Sequence, residues 1–246
     1  MSSRRTLGFI RTCLVVGALS TIRLGCSKPK EGVVFMDDFD GNQWTPSSVS
    51  AVLSGVTIVE DVQGFRAVGF RGKFVRNKSQ GNPAAATTLT LIGLPEHKSI
   101  NIKFLLALID TWDGNCGPTR VAAGGAANST HCPDYFNVVV DGDTVFKETF
   151  FFESALPQSY DEKSRGTLLS RGVDFNTGGY DLAYDMSRDS AFQHILHSRD
   201  TAVISFFASG AGWQGGDDES WGIDDLTVEI DPVPDRGLPQ KPGAHE

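Results

Sequence analysis

The residues of this chain best equipped for chemistry are carboxylates, and they are unevenly spaced. Asp110 and Asp113 fall in DTWDG (110–114), Asp134 in PDYFNVVVDG (133–142), and Glu219 and Asp224 in DDESWGIDDLTV (217–228). Asp37, Asp38 and Asp40 form a further group near the start. Clustered oxygen ligands suit a hard cation, because calcium takes six to eight oxygens and accepts backbone carbonyls and water among them. Gly114 and Gly222 can turn the chain so that carbonyls point inward. The spacing therefore predicts one structural calcium among Asp110, Asp113, Asp134 and Glu219, with Asp38, Asp40 or Asp224 as further candidate ligands. The plainer alternative for any single aspartate is a turn cap bonded to its own backbone.

Other chemistry finds less support. No GxSxG elbow is present, and neither Ser198 nor Ser220 is placed by sequence beside His131, His194 or His197. His194 and His197 have a metal-ligand spacing only if helical, with no glutamate completing HExxH, and read as polar loop residues. Sugar cleavage needs two carboxyl groups about 5 Å or roughly 6.5–9.5 Å apart in a cleft. The closely spaced ExDxxE strand motif is absent: Glu229 and Asp231 lack a second glutamate, and Pro232 follows. A glycoside hydrolase or lyase is thus the minority reading, and the chain is expected not to be an enzyme. Trp112 and Trp221 are expected in the core. Trp213, set among glycines, is the aromatic expected to be exposed and able to stack on a sugar ring.

The first 26 residues read as an export signal. Arg4, Arg5 and Arg11 precede a short apolar run, 13–22, and no acid occurs before Glu31. That run is too short to cross ~30 Å of hydrocarbon as a helix. Leu24, Gly25 and Cys26 resemble the end of a bacterial lipobox, which would make Cys26 the site of lipid attachment, although Arg23 stands where an apolar residue is preferred. With Cys13 lost in the signal, Cys116 and Cys132 remain, and a disulfide between them is expected in an oxidising compartment. Four of the 22 basic residues are arginines of the leader, so 18 remain against 30 acids, a balance of -12. Such a surface repels nucleic acid and anionic lipid. The expected location is a bacterial cell envelope, reached through a lipid anchor, or the extracellular space. Contact with membrane would come through that anchor only.

The elements that must position these groups read as strands. After a connector (27–32), apolar runs of strand length alternate with turn residues, at 33–36, 51–60, 87–92, 100–109, 135–140, 144–152, 201–208 and 223–230. Ile100, Ile102, Phe104, Leu106 and Leu108 share one face at period two, which must be buried against a second sheet. Asp141, Gly142 and Asp143 supply a hairpin turn. The segment 153–189 is polar and poorly periodic, and is expected to hold surface loops with at most a short helix. Residues 232–246 read as a disordered tail. The fold expectation is all-β: a single antiparallel two-sheet sandwich of jelly-roll or concanavalin-like type, spanning 33–231.

The three motifs together resemble a family of uncharacterised secreted β-sandwich domains, usually written DSWDG, GPDxFxVxVDG and DESWGIDNV, over residues 33–231. The resemblance implies a concanavalin-like or jelly-roll sandwich on a cell surface, with no reaction attached to it. Here Thr111 replaces Ser, a cysteine-flanked insertion precedes Pro133, and Asp225 stands where Asn is common. The functional expectation is an exported noncatalytic module, calcium-stabilised, adhesive or glycan-binding, with a polysaccharide or a surface protein as partner. A passive structural lipoprotein is the remaining alternative.

Overall fold

The computed structural model describes residues 31–115, 132–153 and 158–233. Thirteen strands occur among them, arranged as two antiparallel sheets that pack face to face. They are β1 (Val33–Asp37), β2 (Ser50–Gly55), β3 (Ile58–Asp61), β4 (Lys73–Asn77), β5 (Thr87–Ile92), β6 (His97–Asp110) and β7 (Tyr135–Val140). There follow β8 (Asp143–Thr149), β9 (Leu168–Val173), β10 (Asp181–Asp185), β11 (Ile195–Leu196), β12 (Thr201–Ser209) and β13 (Glu219–Pro232). The larger sheet runs β3-β4-β13-β6-β10-β9, with β1 on β13 and β11 on β6; the smaller runs β2-β5-β12-β7-β8. The chain crosses repeatedly from one sheet to the other, as a jelly-roll sandwich requires.

The core forms where the alternating faces meet. Ile100, Ile102, Phe104, Leu106 and Leu108 of β6 all lie in the main buried cluster, against Phe136, Val138, Ile204 and Phe206 from the smaller sheet. A second buried cluster covers the outer face of the larger sheet. There Phe65, Phe70, Phe74 and Phe175 pack over Ala107, Ile109 and Ala183. That cover explains why 104–109 reads as an unbroken apolar run: this part of the central strand is buried on both faces.

Two expectations are corrected. The run 51–60 is two strands in different sheets, since the chain leaves β2 at Gly55, which has φ +79°, and enters β3 three residues later. The segment 153–189 is not merely surface loop: besides one helical turn, Glu162–Arg165, it supplies β9 and β10 of the larger sheet. Its polar character is absorbed by pairing. Glu162, 5 % exposed, accepts from Arg171 Nη2 at 2.6 Å and from the Tyr184 hydroxyl at 2.9 Å. The expected signal with Cys26, and the tail from 234 onward, lie outside the described residues.

Candidate functional site: a buried acidic triad at one rim

Strand direction places three of the predicted carboxylates at the same end of the sandwich. β6 ends at Asp110, β7 begins at Tyr135, and β13 begins at Glu219, whose Cα partner is Asp110. Asp110 adopts φ +69°, so the chain turns sharply as it leaves β6. The turn sends Trp112 into the sandwich, where it is fully buried and its Nε1 donates to the Ser220 carbonyl at 2.9 Å. Asp113 is thereby held beside the segment that enters β7, and its backbone N–H donates to Asp134 Oδ2 at 2.6 Å. Glu219 lies on the same face of β13 as Trp221 and Ile223, and points into the body of the protein.

Asp113, Asp134 and Glu219 each bring a carboxylate oxygen to within 4.8 Å of the others. Their exposures are 6 %, 0 % and 1 %, so solvent does not screen the three charges. Burial, with Asp134 and then Asp113 beside it, drives the Glu219 carboxyl far above its ordinary range. Glu219 Oε2 accepts from the Gln214 N–H at 3.0 Å, while no donor among the described residues reaches its buried Oε1. Buried acceptors are normally satisfied, and a cation is one way to satisfy this one. The donors are all hard oxygens, without nitrogen or sulfur, and so fit calcium better than zinc.

The remaining predicted ligands lie apart from this triad. Asp110 shares the rim, but its carboxyl is raised by burial, then by Asp181 and Asp218. Asp224 is five residues further along β13, roughly 17 Å at ~3.3 Å per residue. It accepts from the N–H groups of Arg71 and Asp225 and is pushed up to about 7 by burial, with Asp225 and Asp40 adding repulsion. Asp38 and Asp40 belong with it: both act on Asp225, whose carboxyl is raised chiefly by burial. The acids thus divide into a sealed triad and a separate group at the mid-strand bulge of β13.

Trp213 corrects a sequence expectation. It is 7 % exposed, its Nε1 donates to the Ser79 carbonyl at 2.9 Å, and its ring lies 5.2 Å from that of Trp112. The glycine-bearing loop folds back over the rim, so this indole is packing and offers no stacking platform. Trp112 and Trp221 are both fully buried, as expected. Cys132 is 3 % exposed, and Cys116 lies outside the described residues.

No family model and no curated protein matches the chain. Among solved structures, the CBM22-1 xylan-binding domain from Paenibacillus barcinonensis Xyn10C is similar, at 12 % identity and a TM-score of 0.35. That match covers 83 % of this chain and 99 % of the other. A likeness of this order carries nothing about ligand or activity.

Sequence reasoning also missed a polar constellation at the opposite rim. His197 is buried rather than a loop-surface residue. Its Nδ1 lies 2.6 Å from His97 Nε2, and its Nε2 lies 2.9 Å from Asp141 Oδ2 and 3.1 Å from the Thr201 carbonyl. His97 Nδ1 lies 2.6 Å from the Pro95 carbonyl. Together these contacts clip the β7–β8 turn to the start of β6, so the arrangement is structural. No motif marks it, because its members are 44 and 56 residues apart in the chain. His194 is exposed and pairs with Asp231 at 2.7 Å.

Proposed function

We propose that the protein is a noncatalytic module of the cell exterior whose sandwich is stabilised by one calcium ion held by Asp113, Asp134 and Glu219. The observation that carries this reading is the sealed triad: three carboxylates from three chain segments converge, and one buried Glu219 oxygen meets no donor among the described residues. An ion there joins β13 of the larger sheet to the entry of β7 in the smaller one. Its role is to close that rim. Backbone carbonyls and water would complete the coordination.

The burial of the triad also argues for a noncatalytic role. Oxygens within 4.8 Å come near the spacing of paired glycosidase carboxylates, but exposures of 0–6 % leave no room for a sugar chain to reach them. The ligand of the module, on this reading, is a polysaccharide or a surface protein, engaged by surfaces away from the triad. Export, lipid attachment at Cys26 and a Cys116–Cys132 disulfide complete the proposal, and all three rest on the sequence.

The test is thermal unfolding of the full chain after chelation, with and without added calcium. An ion that binds only the folded form stabilises it by mass action, by about 2.7 kcal/mol at a hundred times its Kd. For a domain of this size that corresponds to a rise in Tm of roughly 5–11 °C. Unchanged unfolding across the titration overturns the calcium reading. Hydrolysis of a polysaccharide panel that vanished in Glu219→Gln would overturn the noncatalytic one.

A further inference from the structure

Sheet edges expose unpaired N–H and C=O groups, and proteins blunt them with charge, proline, bulges or short length. Among the described strands, β3 carries Glu60 and Asp61, while β8 carries Asp143, Lys147 and Glu148. β9 carries Arg171 and pairs irregularly, β1 carries Asp37 and a register shift, and β11 has two residues. β2 has none of these devices. Its sequence, SAVLSG, is uncharged, lies at the end of the smaller sheet, and pairs with β5 without a register shift.

Its free side can be deduced rung by rung. The Val56 N–H donates to the Ala86 carbonyl on the β2–β5 side, and the Gly93 N–H donates to the Asp200 carbonyl on the β5–β12 side. Alternation along an antiparallel pair then makes Ser54–Thr88 and Val52–Thr90 hydrogen-bonded rungs. The N–H and C=O groups of Ala51 and Leu53 therefore point away from β5, toward the side on which no described strand pairs with β2. On the outer face Val52 is 51 % exposed, and Ile92, diagonal to it on β5, is 48 % exposed. On the inner face Ala51 and Leu53 are half-buried at the margin of the core.

We propose that β2 is a homodimerisation edge, on which a second copy of this chain adds its own β2 antiparallel about a twofold axis through Val52. The sequence is self-complementary in that register. Ser50 meets Ser54, Val52 meets Val52, and Ala51 meets Leu53, so hydroxyl faces hydroxyl and apolar faces apolar at every rung. The Ala51–Leu53 rungs are those whose backbone groups point outward, and Val52–Val52 is then a non-hydrogen-bonded pair, with side chains close. Shifting the register by two residues, the smallest slip that keeps each side chain on its own face, sets Val52 against Ser54 and loses the match. Acids outnumber basic residues in this protein, and β2 is uncharged, so two copies pairing there would set no like charges against each other along the strand. The smaller sheets of the two copies then form one continuous sheet, an isologous contact of the commonest symmetry.

Cross-linking of the full chain tests the register. A non-hydrogen-bonded antiparallel pair has the Cα separation that a disulfide needs. Val52→Cys is expected to give an oxidised dimer in which mass spectrometry finds the 52-to-52 bridged peptide, absent from the wild type. Ser50→Cys is expected to bridge to Ser54→Cys in a mixture and not to itself. In sedimentation equilibrium, Val52→Lys, a change at an exposed position, is expected to weaken self-association at least tenfold. Wild type that stays monomeric to about 1 mM, a Val52→Lys dimer as tight as wild type, or a 50-to-50 bridge as abundant as the 52-to-52 bridge overturns the proposal.

Discussion

A buried carboxylate is costly unless something offsets its charge, and Glu219 meets that problem beside two more acids. Glu219→Gln should therefore act in opposite directions with and without calcium. After chelation the Glu219 carboxyl, raised far above its ordinary range, must take up a proton on folding, and the neutral Gln removes that cost. The variant is then expected to be more stable by roughly 1–2 kcal/mol, since one pKa unit is ~1.4 kcal/mol. With calcium added, the variant should lose most of the wild-type rise in Tm. Differential scanning calorimetry of both proteins in both conditions checks the crossing, and equal calcium responses would contradict it.

Asp224 gives a pH dependence whose sign can be worked out. Its folded-state value of about 7 lies above the ordinary 3.8. Between those values the folded form keeps a proton that the unfolded chain has lost, so its contribution to stability falls as pH rises through that window and levels off above it. Asp225 adds to the repulsion and sits at φ +50°, a left-handed conformation that Asp and Asn both tolerate. Asp225→Asn is expected to raise stability by roughly 0.5 kcal/mol above pH 7 and to leave it unchanged near pH 4, read from Tm across the range. At this scale the acids of the triad were legible because each sits in a motif at a strand end. Which acids would meet was not, since Asp113 reaches Asp134 only through the turn at Asp110 and the burial of Trp112. Trp213 misled because flanking glycines signal an open loop, whereas the loop's closure depends on Ser79, 134 residues away.

Elements with one buried face were legible, and those with unusual faces were not. Strands β5 and β7 fall where alternation places them, at Thr87–Ile92 and Tyr135–Val140. β10 escaped because its apolar residues are flanked by Asp181, which is fully buried. That carboxylate accepts from the N–H groups of Asp110 and Phe175 and from the Thr177 hydroxyl, so a hydrogen-bond network replaces the expected apolar pattern. β4 is short and owes its place to the outer aromatic cluster. Its Phe74 ring lies against Gly222 of β13, where an added Cβ would approach it to 2.1 Å. Gly222→Ala is accordingly expected to cost about 1–3 kcal/mol through overpacking. Urea unfolding measures this, and an unchanged midpoint would show that Phe74 can move aside. The missed histidine clip belongs to this scale too. His197→Ala strips His97 and Asp141 of a partner and should lower stability by about 1–3 kcal/mol without altering the calcium response at the other rim.

For the whole molecule, the sandwich sorts its polar constellations by end. The acidic triad closes the rim where β6 ends and β13 begins, and the histidine clip closes the rim where β6 begins and β13 ends. The class of fold followed from the alternation of apolar runs with turns, because two faces at period two leave few other architectures. What the molecule contacts did not follow, because neither a packed core nor a buried acidic triad names a ligand. Anomalous scattering from crystals grown with calcium reports whether an ion sits at the acidic rim. One strong peak is expected, about 2.3–2.6 Å from oxygens of Asp113, Asp134 and Glu219. No peak there, or one only among Asp38, Asp40 and Asp224, would contradict it.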